Sequence, residues 1–147
     1  MASTPPAHRA RIEALATGLN SAGIHLVRRL RQADVALGIT PSRLSALSVV
    51  VFGGPSTLAA LAAAEQVTPP TMTRLVAALE ADGLVTRRPD PTDRRAITIE
   101  ATAKGRRVME RGRGLRVERL IEQLEGLAPR DLDTLERAVE VLRRLEE

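Results

Sequence analysis

Cysteine, tryptophan and tyrosine are all absent from the 147 residues, and Phe52 is the sole aromatic side chain. The lack of thiols removes disulfides, thiolate metal sites, cysteine nucleophiles and thiol-based redox sensing together. The lack of aromatics excludes a base-stacking platform for single strands, and a core must be built from Leu, Val, Ile and Ala, as helix-rich chains can manage. His8 and His25 are the only histidines, and two distant imidazoles do not make a tetrahedral zinc site, so neither a metal nor a cofactor is expected. There is no Ser/His/Asp order and no glycine-rich phosphate loop, so an enzyme is not expected either. Lysine is nearly missing. Lys104 stands alone among 22 basic residues, so the net charge of +4 and the isoelectric point near 11.0 are set by arginine. Long apolar runs are missing too. The stretches at Leu44–Phe52 and Leu58–Ala64 are well short of the roughly 20 residues that cross a bilayer. Met1 to His8 carries no apolar leader core, so a cytoplasmic protein with no membrane partner is expected.

What is present is ordinary for a folded domain: 44% hydrophobic and 27% charged residues. Residues 1–7 hold two prolines and no periodicity, and read as a disordered arm. From His8 onward, Ile12, Leu15, Leu19, Leu26, Leu30 and Leu37 recur at helical steps, with Gly38 as the stop. Thr40-Pro41 supplies the cap and first turn of a second helix through Phe52, and Gly53-Gly54-Pro55 breaks the chain. Ser56 or Thr57 caps a short third helix, Leu58 to Glu65. Thr68-Pro69 opens a fourth, with Met72, Leu75, Val76 and Leu79 on its inner side and Gly83 closing it. The opposite face carries Pro70, Thr73, Arg74, Ala77 and Ala81. Two β-prone runs, Leu84 to Arg88 and Ala96 to Glu100, flank a turn-rich loop and read as a hairpin. A basic helix from Thr102 to Leu124 follows. Gly112 and Gly114 each cost it about 1 kcal/mol relative to Ala, so it bends or is held by packing. Pro129 opens the last helix. The fold class is mainly α with a small β-hairpin, an α+β arrangement.

A short helix, a tight connection and a second helix with an exposed Pro-Pro-Thr-x-Thr-Arg start form a helix-turn-helix, and the hairpin supplies a wing. Short hydrogen-bonding side chains at the start of a helix suit the floor of the DNA major groove. Pro70, Thr71, Thr73 and Arg74 are placed there, while Ala77 and Ala81 let the helix sink. Arg87, Arg88, Arg94 and Arg95 on the hairpin suit phosphates or a narrow minor groove. The run from Thr68 to Arg88, followed by Asp90-Pro-Thr-Asp-Arg-Arg and the Thr102-x-Lys104-Gly105 helix start, resembles the MarR family of bacterial regulators over essentially the whole chain.

That resemblance implies a homodimeric winged helix-turn-helix repressor: one MarR-type domain at 8–147, with the DNA-binding lobe at 38–101 and a helical dimerisation region at 8–37 and 102–147. It also implies that Arg95 reaches into the minor groove, that Asp93 steadies the wing, and that a small-molecule pocket lies between dimer interface and lobe. His25, Arg28 and Arg43 are the polar candidates for that pocket, and would suit a small anionic or aromatic effector. Leu132, Leu135, Val139, Leu142 and Leu145 form an apolar stripe suited to a two-fold interface. A two-fold dimer calls for a pseudo-palindromic operator in double-stranded DNA, with half-sites roughly 10 bp apart. The expected function is therefore a transcriptional repressor released by an effector. Two alternatives are an effector-independent architectural DNA-binding protein and a protein-interaction dimer without DNA binding. The arginines of the 102–124 helix read as a solvated face paired with Glu110, Glu118, Glu122 and Glu125.

Overall fold

A computed structural model describes residues 6–89 and 97–145. The element order is α1 (Pro6–Leu30), a 3₁₀ segment (Arg31–Leu37), α2 (Pro41–Gly53), β1 (Ser56–Thr57), α3 (Leu58–Ala64), α4 (Pro69–Ala81), β2 (Val85–Pro89), β3 (Ile97–Ala101), α5 (Ala103–Leu124) and α6 (Pro129–Arg143). The first helix thus starts at Pro6, inside the segment read as a disordered arm. It also tightens to 3₁₀ geometry at Arg31, ahead of the left-handed Gly38 (φ 68) that ends it.

The core is aliphatic and sits where α2, α3, α4, the sheet and the start of α5 meet. Leu47, Leu61, Met72, Val76, Leu79 and Ile99 are buried almost completely, each stabilising the fold by roughly 1.5–3 kcal/mol through apolar area removed from water. Met72, Val76 and Leu79 are the inner positions expected of α4, with Leu75 packed against their edge. Phe52, the sole aromatic, is 76% exposed at the end of α2.

The sheet has three antiparallel strands in the order β1-β3-β2. The β2–β3 hairpin pairs Val85 with Ala101 through Pro89 with Ile97. Ser56 and Thr57 form the third strand against Ile99 and Thr98. Sequence reading foresaw only a cap here. Thr57 serves both purposes, since its Oγ1 also accepts from the Ala60 N–H at 3.2 Å. Thr40 and Thr68 begin their helices in extended conformation but make no side-chain cap, proline at the first helical position having already removed one orphan donor.

α5 is held by packing at its glycines. A Cβ at Gly105 would stand 2.2 Å from the Leu84 carbonyl oxygen, and one at Gly112 would stand 3.0 Å from Leu37 Cδ1. Beside Gly112, Arg116 Nη1 donates to Asp34 Oδ1 at 2.6 Å. These contacts fasten the 3₁₀ segment to α5. α1 and α6, in contrast, contain no buried residue, and no single helix among the described residues is long and apolar enough to cross a membrane.

Candidate nucleic-acid interface

α3, the four residues Glu65 to Thr68 and α4 make the helix-turn-helix. The turn is tight because Gln66 adopts a left-handed φ of 54° and Val67 N–H bonds back to Ala62 O at 3.0 Å. With Val76 and Leu79 anchoring α4 inward, Pro70, Thr73, Arg74, Ala77 and Ala81 all face solvent on one side. Thr73 is exposed and its Oγ1 donates to Pro69 O at 2.9 Å, so the hydroxyl oxygen remains available as an acceptor. Thr71 is half-buried and its hydroxyl lies 3.0 Å from that of Thr68. Arg74 extends into solvent with no carboxylate among the described residues within ion-pair reach.

The opposite end of α4 is clamped. Arg43 Nη2 donates to Ala78 O at 3.0 Å and pairs with the Asp82 carboxylate. Lys104 Nζ donates to Asp82 O at 2.7 Å. Both cations thus sit on the last carbonyls of α4, where the helix dipole favours positive charge. Gly83, left-handed at φ 70°, then turns the chain into β2.

Arg87 and Arg88 lie on β2 next to α4 but are not free cations. Arg87 Nε is 3.1 Å from Glu80 Oε2 on α4, and Arg88 Nε is 3.3 Å from Glu100 Oε2 on β3. Both side chains remain substantially exposed, at 37% and 66%, so they present charge outward while bracing the hairpin. The spacing of Glu80 and Glu100 from these arginines carried no sequence signal, because the first pair depends on how α4 meets the sheet and the second on strand register. Asp93, Arg94 and Arg95 lie outside the described residues.

The three residues grouped as an effector pocket do not come together. Arg43 faces the end of α4, Arg28 lies along a groove formed by α1 and the first residue of the 3₁₀ segment, and His25 is exposed on α1 and lines neither cavity. A cavity of about 690 Å³ instead lies between the end of α1, the 3₁₀ segment, α2, the helix-turn-helix and α5. Its polar lining includes Arg31, Asp34, Ser45, Glu65 and Arg116. Sequence reading missed these because their pairing spans distant segments. The stripe Leu132, Leu135, Val139, Leu142 and Leu145 lies along α6, half-buried at Leu132 and exposed from Leu135 onward.

An exposed, short-chained helix face flanked by a cation-bearing hairpin, on a rigid aliphatic core, defines a winged helix-turn-helix DNA-binding regulator. Residues 37–96 match the MarR family. An HTH-type transcriptional regulator of Mycobacterium leprae is 35% identical over 131 residues, covering 89% of this chain and 92% of that protein. Among solved structures, the transcriptional regulator Tm0710 from Thermotoga maritima superposes with a TM-score of 0.81 at 28% identity, over 90% of this chain and 94% of that one. A mutant of MepR from S. aureus, bound to an oligodeoxyribonucleotide, shares the fold at 19% identity and a TM-score of 0.67, over 90% of this chain and 98% of that one. The chain belongs to the MarR family. It is a DNA-binding transcriptional regulator and not an enzyme.

Proposed function

We propose that the protein is a homodimeric repressor that reads a pseudo-palindromic duplex operator and is released from it by a small molecule. The observation that carries the DNA part is the two-ended construction of α4. Its exposed start presents Pro70, Thr73 and Arg74, while its far end is locked by Arg43 and Lys104. Base edges are read by the first part of such a helix, and a locked far end holds that part at a constant angle. Thr71 joins the face through its bond to Thr68. Arg94, Arg95 and Asp93 would extend the wing beyond Arg87 and Arg88, with the arginines on the DNA and Asp93 holding the tip.

Dimerisation is supported by apolar side chains that the protomer leaves in water. On α1, Ile12 is 50% exposed and Leu15 68%; on α6, Leu135 is 42% and Val139 45%. A two-fold partner is the economical cover for both. The effector is supported by the cavity itself, which lies between the end of α1, the 3₁₀ segment and α5 on one side and the lobe that carries α4 on the other.

Gel-shift titration of the duplex upstream of its own gene against random duplex tests the DNA reading, with light scattering for the dimer. A dimer that prefers its own upstream duplex by at least about a thousandfold is the expected result. Equal affinity for both duplexes would indicate an architectural coat, and no retardation of either would remove DNA binding altogether.

A further inference from the structure

We propose that the cavity selects an amphipathic organic cation, read by the carboxylate of Glu65. The proposal rests on the effector reading above and names the chemistry of that site. It follows from counting protons on the cavity wall that belongs to the DNA-binding lobe. Ser48 Oγ donates to Ser45 O at 2.7 Å, and Ser45 Oγ donates to Glu65 Oε1 at 3.0 Å. Both half-buried serines have therefore spent their only side-chain donor. What the half-buried part of this wall still presents is acceptors: the remaining lone pairs of the Glu65 carboxylate and of the two hydroxyls; Ser42, which also lines the cavity, is exposed to water.

The facing wall is balanced differently. Asp34 and Arg116 neutralise each other at 2.6 Å, and Arg31 stands exposed at the rim, where water screens it. Glu65 is the one half-buried charge lining the cavity that has only a neutral hydrogen-bond partner among the described residues. Between the walls lie Leu44, Val67, Leu75 and Met109, an apolar floor for the body of a ligand. A protonated amine on an apolar frame matches both surfaces, whereas a carboxylate would face Glu65 with a like charge.

Glu65 also connects the cavity to DNA reading. It caps the C-terminus of α3 and immediately precedes Gln66, whose left-handed backbone sets the angle between α3 and α4. The bond from Ser45 joins that turn to α2, so a cation that draws the carboxylate off Ser45 acts on this junction; to release DNA it must bind the form that cannot engage DNA more tightly, as any releasing ligand must.

The test uses the full chain and three probes of nearly one shape: phenylbutylamine, phenylbutanol and phenylbutyrate. Direct binding is measured by calorimetry, and release as the ratio of operator affinity with and without probe. The amine is expected to bind at least about tenfold more tightly than either other probe and to weaken operator binding. Glu65→Gln, whose amide oxygen still accepts from Ser45, is expected to bring the amine down to the level of the alcohol while leaving alcohol binding in place. Tightest binding by the carboxylate, equal binding of all three, no binding, an amine preference that survives Glu65→Gln, or amine binding that leaves operator affinity untouched would each overturn the proposal. Failure of the DNA-regulator reading shows separately, as absence of operator preference before any probe is added.

Discussion

The two halves of this molecule use the same aliphatic alphabet to opposite ends. In the lobe, α2 buries Leu44, Ala46, Leu47 and Val50, and α4 buries Met72, Val76 and Leu79. In the outer helices, α1 and α6 repeat leucine, isoleucine and valine at similar spacing and bury none of them. Helical periodicity reports that a face wants to leave water; it does not report what will cover it. The lobe covers its own faces because a sheet and three other helices close around α2. The outer helices have no such enclosure among the described residues. α5 belongs to both halves, buried at Gly105, Met109 and Gly112 and largely solvent-facing beyond them.

This contrast breaks if the lobe tolerates truncation of its buried side chains. Leu47→Ala removes a side chain with no exposure and should cost about 2–5 kcal/mol in urea denaturation. Gly105→Ala should cost about 3 kcal/mol, because the new methyl would meet the Leu84 carbonyl at 2.2 Å. That oxygen is fixed in turn by Thr102, whose N–H reaches it at 3.0 Å. A loss under about 1 kcal/mol at either position would show that the lobe is looser than its burial implies. In the outer half, Leu135→Glu combined with Val139→Glu should leave far-ultraviolet circular dichroism unchanged, yield a monomer by light scattering, and abolish operator binding. A double variant that stays dimeric would move the interface away from α6.

The comparison also explains which parts could be read in advance. The helices, the hairpin and the inner face of α4 were legible because each is local: Met72, Val76 and Leu79 declare their side by spacing alone, and Thr68-Pro69 declares a helix start. β1 was not legible, since two residues carry no pattern and their strand character comes from Ile99 and Thr98 on a distant segment. The partners of Arg43 were not legible for the same reason. Its guanidinium is charged wherever it goes, and only the packing of α2 on α4 directs it to Ala78 and Asp82. The cavity residues Asp34 and Arg116 are 82 positions apart in sequence. The exposed face of α4 was legible because it is the complement of a buried one.

Within the lobe, the comparison sharpens into free against tethered arginines. Arg74→Ala should lower the ratio of operator to random-duplex affinity by about 1–3 kcal/mol and relax preference at one base pair. Arg87 is tied to Glu80, so DNA contact requires that pair to be loosened. Arg87→Ala should therefore flatten the salt dependence by less than about one unit, while Glu80→Ala, which frees Arg87, should steepen it. Filter binding at several salt concentrations reads both. A full unit lost on Arg87→Ala, with no response to Glu80→Ala, would mean that the ion pair imposes no restraint.

The smallest effect lies on α5, where two glycines two residues apart fall on either side of the boundary between the halves. At Gly112 an added methyl would stand 3.0 Å from Leu37 Cδ1 and 3.6 Å from Asp34 Oδ1. The gain in helix propensity is then offset by displacing the 3₁₀ segment. At Gly114 an added methyl meets nothing within 4 Å, so Ala should keep the whole propensity gain, roughly 0.5–1 kcal/mol. Urea denaturation of the two variants should accordingly place Gly114→Ala above the parent chain and Gly112→Ala below Gly114→Ala. Protein concentration adds a second reading. If the gain at Gly114 is independent of concentration, this face of α5 stays in water when two copies associate. A variant that is destabilised, and more so as the dimer fills, would show that the partner seats against Gly114, and the two-fold interface would then extend from α1 and α6 onto α5.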